Sequence, residues 1–291
     1  MKVKDIKELQ NIANNVRKGI IEGVYSAKSG HPGGSLSIAD ILTVLYFNQM
    51  NIDENKPHSP ERDRLVLSKG HCAPALYSVL AERGFFDKEE LKTLRGLESK
   101  LQGHPDMNKI PGVDMTTGSL GQGLSSANGM ALASKMDKKG IRVYCITGDG
   151  EIQEGQIWEA AMASAHYKLD NLCVIVDNNN LQIDGKVSDV MNIYPIDEKF
   201  KSFGFETINI DGHNIEEIIS ALETAKKVKG KPTAIIANTI KGKGVSFMED
   251  NAGWHGKAPN EEQYKMAMDE LSKNIWFLIY TVNAFYWCFD L

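Results

Sequence analysis

Two polar turns that each follow an apolar run carry the clearest chemical signal in the sequence. Gly148-Asp149-Gly150 follows the run over residues 142–147. Asp177-Asn178-Asn179 follows the run over residues 172–176. Carboxylate and amide oxygens suit Mg²⁺ or Ca²⁺, and glycine lets the backbone come close to an anion. Ordinary turns have a similar composition, but the matched contexts favour a cation site completed by a bound diphosphate.

A glycine-rich loop over residues 116–123 leads into a helix of small residues at 124–136. Amides at such a helix start could bind phosphate. The loop does not match G-x-G-x-x-G, so it does not indicate a dinucleotide site. Taken alone, a flexible loop is the more common explanation of this pattern.

Four histidines, each beside glycine or proline, form the third signal: His31, His71, His104 and His255. Their spacing does not resemble that of zinc ligands. Imidazoles in one polar pocket could bind sugar hydroxyls or phosphates and transfer protons. We therefore expect the four to converge on one site. The remaining histidines, His58, His166 and His213, we interpret as structural.

The elements that must position these groups alternate between strands and helices. Short apolar runs alternating with amphipathic helices are typical of a doubly wound α/β fold, with a mostly parallel sheet covered by helices on both faces. In such sheets ligands bind at the carboxyl ends of the strands. Strands are predicted at 65–67, 142–147, 172–176, 206–210 and 233–240, and helices at 5–25, 72–83, 124–136, 155–168 and between the last two strands, with a further one around residues 38–45.

Composition excludes several classes of protein. The chain has 291 residues, of which 42% are hydrophobic and 24% charged, with a net charge of −5. These values argue against a disordered chain and against a nucleic-acid-binding protein. The four cysteines form no C-x-x-C pair, and the polar N-terminus lacks the apolar core of a signal peptide. We expect one domain over residues 1–272, a cytoplasmic location and no membrane association.

The C-terminal segment departs from this pattern. Residues 275–289 are almost entirely apolar and rich in aromatic side chains. The run is shorter than the ~20 residues that span a bilayer. A docking tail and a sequence artefact both remain open, so we treat residues 273–291 as an atypical apolar tail.

Together, the motifs resemble those of transketolases and occur in the same order. They are SGHPGG, SKGHCAPALY, QGHPD, TTGSLGQGLSSANGMA, GDGEIQEGQIWEA, DNNNLQIDG and WHGKAP, spread over about residues 5–270. The resemblance is to the N-terminal half of transketolase, which binds the diphosphate of thiamine diphosphate. It implies transfer of a two-carbon ketol unit between sugar phosphates, as in the pentose phosphate pathway, with thiamine diphosphate and Mg²⁺ or Ca²⁺ as cofactors.

By this resemblance, Asp149, Asn179 and the Leu181 carbonyl are the metal ligands. His31 and His104 correspond to residues of the donor-sugar channel, and Glu154 to a glutamate that couples the paired active sites of the dimer. The remaining positions correspond to cofactor contacts, and they are His71, His255, Gly118, Leu120, Gly150 and Ile183.

The resemblance also implies a missing half. In transketolases the glutamate that activates the cofactor lies in a pyrimidine-binding domain, which follows the domain seen here. Too few residues remain after position 271 to form that domain. We therefore expect a C-terminal subunit as partner, a dimer of heterodimers, and little or no activity from this chain alone.

Three alternatives remain open. One is a related thiamine diphosphate enzyme, of the dihydroxyacetone synthase or deoxyxylulose-phosphate synthase type. Another is a non-catalytic homologue that keeps the fold. A third is a truncated fragment of a longer single-chain transketolase.

Overall fold

The apolar runs form the central sheet of the computed structural model, which describes residues 2–286 and the side chains of residues 2–273. Five parallel strands pair in the order β1-β2-β3-β7-β6, and β4 and β5 form a separate antiparallel hairpin. The strands are β1 (Arg64–Leu67), β2 (Val143–Gly148), β3 (Leu172–Asn178), β4 (Leu181–Gln182), β5 (Gly185–Lys186), β6 (Glu206–Asp211) and β7 (Thr233–Asn238).

Helices cover both faces of this sheet. They are α1 (Ile6–Ala27), α2 (Pro32–Ser37), α3 (Ala39–Val44), α4 (Ala73–Arg83), α5 (Gln122–Met136), α6 (Gly155–His166), α7 (Val187–Val190), α8 (Ile196–Ser202), α9 (Ile215–Lys227) and α10 (Glu261–Tyr286).

Successive strand residues enter two separate cores, as the pleat of a strand requires. Leu67, Ile146 and Ile175 pack in the core that includes α1, α3, α4 and α9. Val66 and Val174 pack in the core that includes α5, α6 and α8. The predicted doubly wound α/β fold is therefore confirmed.

The carboxyl ends of the four adjacent strands β1, β2, β3 and β7 meet at one edge of the sheet. Gly148 pairs with Asp177, and Asp177 pairs with Ala237. The polar turns after β2 and β3, far apart in sequence, are thereby brought side by side. The chain leaves β3 towards α8, which packs in one core, and it leaves the neighbouring strand β7 towards α10, which packs in the other. Connections that leave neighbouring strands towards opposite faces open a ligand crevice between the strand ends.

Several predicted boundaries were wrong by a few residues. β3 continues to Asn178, and β7 ends at Asn238 rather than at residue 240. Asn178 pairs with Asn238, and its side-chain Nδ2 atom donates a hydrogen bond to Asn238 Oδ1 at 2.8 Å, so both strands extend to the same level. The helix expected around residues 38–45 begins as α3 at Ala39, because Ile38 leaves helical geometry after α2, and it continues beyond Val44 as a π-helical turn over Leu45–Gln49.

Helix α10 packs on α1 through Ala267 and Leu271, which are fully buried. The Asn14 side chain on α1 donates a 2.5 Å hydrogen bond to the Leu271 carbonyl. The predicted apolar tail at 273–291 extends outside the residues whose side chains are described, so its role stays a prediction. Within the part of the chain that the structure describes, no helix is both long and apolar enough to cross a membrane.

Candidate functional site

A cavity of about 370 Å³ opens at the carboxyl edge of the sheet. Residues after β1, β2, β3 and β7 all contribute to its wall. The residues that line it are His31, Gly34, Lys69, His71, Gly118, Leu120, Gly148, Asp149, Gly150, Glu151, Gln153, Glu154, Asp177, Asn179, Leu181, Gln182, Ile183, Asp184, Lys241 and His255.

All the predicted site residues except His104 are in that list. His104 is exposed and lies just outside the wall. A methyl group added to Gly118 would come within 3.2 Å of the His104 ring, so the ring lies directly behind the glycine-rich loop. The motifs therefore converge as predicted, with His104 at the rim.

Asp149 follows β2 and is almost completely buried. Its carboxylate accepts backbone hydrogen bonds from Gly150, at 2.8 Å, and from Asn180. Burial, followed by repulsion from Asp177, raises the pKa of Asp149 to about 7. A cation placed beside this carboxylate would oppose both effects and favour its ionised form.

Asn179 and Leu181 lie at the start of the turn after β3. The Asn179 Oδ1 atom accepts a hydrogen bond from the Leu181 amide at 3.0 Å, and its Nδ2 donates to Asp177 at 2.9 Å. The Leu181 carbonyl accepts from Lys241 Nζ at 3.1 Å. Each of the two oxygens keeps a second lone pair, so both remain chemically able to ligate a hard cation.

No group of three or more His, Cys, Asp and Glu side chains among the described residues could hold a metal ion. A cation at this edge would therefore need the Asn179 amide and the Leu181 carbonyl beside Asp149. Such an incomplete oxygen set matches Mg²⁺, which commonly takes further ligands from a bound phosphate and water.

Three histidines face one another in the wall of the same cavity. The ring centres of His31, His71 and His255 lie 5.2–5.4 Å apart. Burial is the largest cause that lowers their pKa values, to about 4 for His31 and about 3 for the other two, and nearby cations and imidazoles lower them further. All three are therefore neutral at pH 7, and each ring can both donate and accept a hydrogen bond.

A buried ion pair that the sequence did not predict forms part of the cavity wall. Lys69, in the turn after β1, pairs with Asp177 at the end of β3, and both are almost fully buried. Ser37 Oγ donates to Asp177 at 2.7 Å, and Thr239 also donates to it. Despite the opposing effect of burial, Lys69 holds the pKa of Asp177 below its ordinary value. This pair fixes the ends of β1 and β3 relative to each other.

Lys241 is a second residue of the cavity that the sequence did not predict. It lies after β7, is only 2% exposed, and its Nζ atom is 3.1 Å from the Leu181 carbonyl and 3.1 Å from His255 Nδ1. Burial lowers its pKa, and repulsion from Lys69 acts in the same direction. The available signal was its place directly after a predicted strand, in Ile240-Lys241-Gly242-Lys243-Gly244.

Glu151, also unpredicted, ties the glycine-rich loop to the sheet. Its carboxylate accepts hydrogen bonds from Ser68 Oγ at 2.5 Å, the Gly121 amide at 2.9 Å and the Gly148 amide at 3.0 Å. Glu151 is therefore a structural acceptor that joins the loops after β1 and β2 to the start of α5.

Close backbone contact explains two of the motif glycines. A methyl group on Gly70 would lie 2.8 Å from the Gly118 nitrogen, and one on Gly123 would lie 2.6 Å from Ser68 Cα. Side chains at either position would force the glycine-rich loop away from the turn after β1 and widen the cavity.

The chain is similar to known proteins over most of its length. Residues 8–278 match the family model described as transketolase, thiamine diphosphate binding domain. The chain is 50% identical to the 6-deoxy-6-sulfo-D-fructose transketolase subunit SqwG of Clostridium sp., over 91% of this chain and 97% of that protein. It is 44% identical to human transketolase, over 93% of this chain and 43% of the human protein.

A solved structure gives the same result. The crystal structure of transketolase from Campylobacter jejuni superimposes with a TM-score of 0.87 at 40% identity, covering 92% of this chain and 43% of that one. The chain thus spans less than half the length of the full-length proteins that it matches, and nearly all of the protein named as a subunit.

Proposed function

The chain belongs to the transketolase family, and from this premise we propose that it is the N-terminal subunit of a split transketolase that transfers a two-carbon ketol unit from a ketose phosphate to an aldose phosphate. The observation that carries the proposal is the single cavity that unites the buried Asp149 with the cluster of His31, His71 and His255. This chain matches 97% of the length of a protein that is named as a transketolase subunit, which supports the proposal that it is a separate subunit.

In this proposal, the acidic end of the cavity holds the cofactor's diphosphate through a divalent cation. Asp149, Asn179 and the Leu181 carbonyl supply oxygen ligands to Mg²⁺ or Ca²⁺. Lys241 supplies positive charge next to these ligands, since its Nζ atom lies beside the Leu181 carbonyl. When bound, thiamine diphosphate would supply the carbon nucleophile and the electron sink for breaking and forming carbon–carbon bonds.

The remaining predicted residues shape the rest of the cavity. Gly150 allows the diphosphate to approach the backbone, and His71 and His255 contact the cofactor. Gly118, Leu120 and Ile183 form the surface against which its rings lie. His31, and His104 at the rim, donate or accept hydrogen bonds with the hydroxyls of the donor sugar.

A second chain completes the site in this proposal. Leu120 and Ile183 are apolar residues at the cavity, 38% and 69% exposed respectively, and a partner surface would cover them. The proposed partner is a C-terminal subunit with the pyrimidine-binding domain, in an assembly of two copies of each chain with Glu154 near the contact between the copies. The expected location is the cytoplasm, and the expected context is the pentose phosphate pathway.

The test is an assay of ketol transfer from xylulose 5-phosphate to ribose 5-phosphate with thiamine diphosphate and Mg²⁺. The chain is measured alone and with a candidate C-terminal transketolase subunit from the same genome. Activity only in the mixture would support a split enzyme. Activity of this chain alone would disprove the need for a partner, and inactivity of a mixture that forms a stable complex would disprove the proposed reaction with these sugars.

A further inference from the structure

The segment that carries Lys241 into the cavity is tethered on both sides of that residue. Before it, the Ile240 amide donates a 2.8 Å hydrogen bond to His213 Nε2. After it, the Lys243 carbonyl accepts a 3.1 Å hydrogen bond from Arg17 Nε. Neither His213 nor Arg17 lines the cavity. Any effect of His213 or Arg17 on the cavity must therefore be transmitted through the backbone on either side of Lys241.

The two tethers meet at one buried carboxylate. Asp40, on α3 and 6% exposed, has its Oδ2 atom 2.8 Å from His213 Nδ1 and 2.5 Å from Arg17 Nη2. Because His213 Nε2 accepts from a backbone N–H, it carries no proton, and the proton of the neutral ring must be on Nδ1. His213 therefore donates to Asp40, and each member of the Arg17–Asp40–His213 network has a partner.

The backbone between the tethers has little room to move. The Gly242 amide donates a 2.9 Å hydrogen bond to the Gly33 carbonyl. Gly242 has a φ of +83°, and a methyl group at this position would lie 2.3 Å from the Met248 carbonyl oxygen. A long lysine side chain loses considerable rotamer freedom when it is held in one place. Because the backbone at Lys241 is already held, less of this freedom remains to be lost when its side chain binds a ligand.

We propose that the Arg17–Asp40–His213 network positions the Lys241 ammonium group for an anionic ligand, and that His213 is a positioning residue of the cofactor site. The ligand class is an organic diphosphate, which rests on the proposed function above. His213, interpreted from sequence as structural, thereby gains a role in binding although it does not touch the ligand.

The experiment measures the affinity for thiamine diphosphate, in the presence of Mg²⁺, of the full 291-residue chain in complex with the C-terminal subunit, by titration calorimetry. Lys241→Met should weaken binding by about tenfold or more, because a charged hydrogen-bonding partner is lost. His213→Leu should weaken binding by a similar factor, and His213→Gln should recover part of it, because the amide can replace one of the two hydrogen bonds.

The double variant His213→Leu/Lys241→Met decides whether His213 acts through the lysine. If it does, the second substitution adds little to the loss caused by Lys241→Met alone. Losses that multiply would overturn the positioning role. Unchanged affinity in His213→Leu, with weaker binding by Lys241→Met, would overturn it while leaving the proposed function intact. Absence of binding by the wild-type complex would instead count against the diphosphate site itself.

A matched control separates positioning from general destabilisation. Arg62 and Asp114 form another buried ion pair, at 2.5 Å, and neither lines the cavity. Arg62→Met should lower the melting temperature without changing affinity.

In ¹⁵N NMR spectra, His213 should show a protonated Nδ1 and an unprotonated Nε2. The Ile240 amide should lose protection from hydrogen exchange in His213→Leu, and retained protection would contradict the proposed tether.

Discussion

Asp149 and Asp177 lie side by side at the ends of β2 and β3. Of these two carboxylates, only that of Asp177 forms an ion pair with another residue that the structure describes. The Asp149 amide donates a 3.2 Å hydrogen bond to the Asp177 carbonyl, and Lys69 pairs with the Asp177 carboxylate. The pKa of Asp177 is held below its ordinary value, whereas that of Asp149 is raised to about 7. The charge of Asp177 is thus balanced within the protein, whereas Asp149 faces the cavity, where a bound cation would favour its ionised form.

Replacing Asp149 with Ala should abolish metal-dependent binding of thiamine diphosphate. The substitution removes the one carboxylate among the proposed ligands, so the affinity should fall by about 100-fold or more. Calorimetric titration with and without Mg²⁺ measures the loss. Asp189→Ala, at an exposed position outside the cavity, should leave affinity unchanged. Binding by Asp149→Ala at the wild-type affinity would show that the metal ligands were wrongly assigned.

Breaking the Lys69–Asp177 pair should destabilise the fold as well as the site. Lys69→Met leaves a buried carboxylate without its cation, which costs about 3–5 kcal/mol in the free energy of unfolding. Urea denaturation of the full chain measures this cost. The same substitution at Lys92, which pairs with Glu89 on the surface, should leave the midpoint nearly unchanged. Equal effects of the two substitutions would contradict the stabilising role of the buried pair.

Much of this site could be predicted from sequence because its backbone framework is local. The apolar runs before Asp149 and Asn179 predict two strands, and a parallel sheet brings the ends of neighbouring strands together. Glycines beside the histidines likewise indicate tight turns. These patterns require no knowledge of which distant residues touch, so the positions that they mark were found.

Pairings between distant side chains could not be predicted in the same way. Lys69 and Asp177 lie 108 positions apart, and His213 and Asp40 lie 173 apart. In neither pair does the separation along the sequence distinguish the two residues from charged residues at the surface. Lys241 follows a predicted strand, but only the burial of its ammonium group beside Leu181 and His255 identifies it as part of the site.

The histidine cluster should make the fold sensitive to mild acid. Folding lowers the pKa of His31 from 6.5 to about 4. Between these values the unfolded chain binds a proton that the folded chain does not, so stability decreases as the pH falls from 6.5 towards 4. His31→Gln removes this group, and its melting temperature should therefore depend less steeply on pH over that range.

Thermal melts from pH 8 to pH 4 test this prediction. The difference in melting temperature at pH 8 is the internal control, because the imidazole is neutral there in both the folded and the unfolded chain. Below pH 6.5 the melting temperature of the variant, relative to that of the wild type, should rise steadily as the pH falls. Parallel curves over the whole range would show that His31 does not contribute to acid sensitivity.

His104 should affect turnover more than cofactor binding. Its side chain is exposed and lies behind Gly118, outside the residues that line the cavity. His104→Ala should therefore change thiamine diphosphate affinity by less than about twofold, while kcat/KM for a ketose phosphate donor falls by about tenfold or more, as expected for a lost hydrogen bond to substrate. Turnover is measured with the C-terminal subunit present. Met107→Ala, at another exposed position of the same loop, should change neither quantity. If His104→Ala reduces cofactor affinity as much as turnover, then His104 belongs to the cofactor site and not to the donor channel.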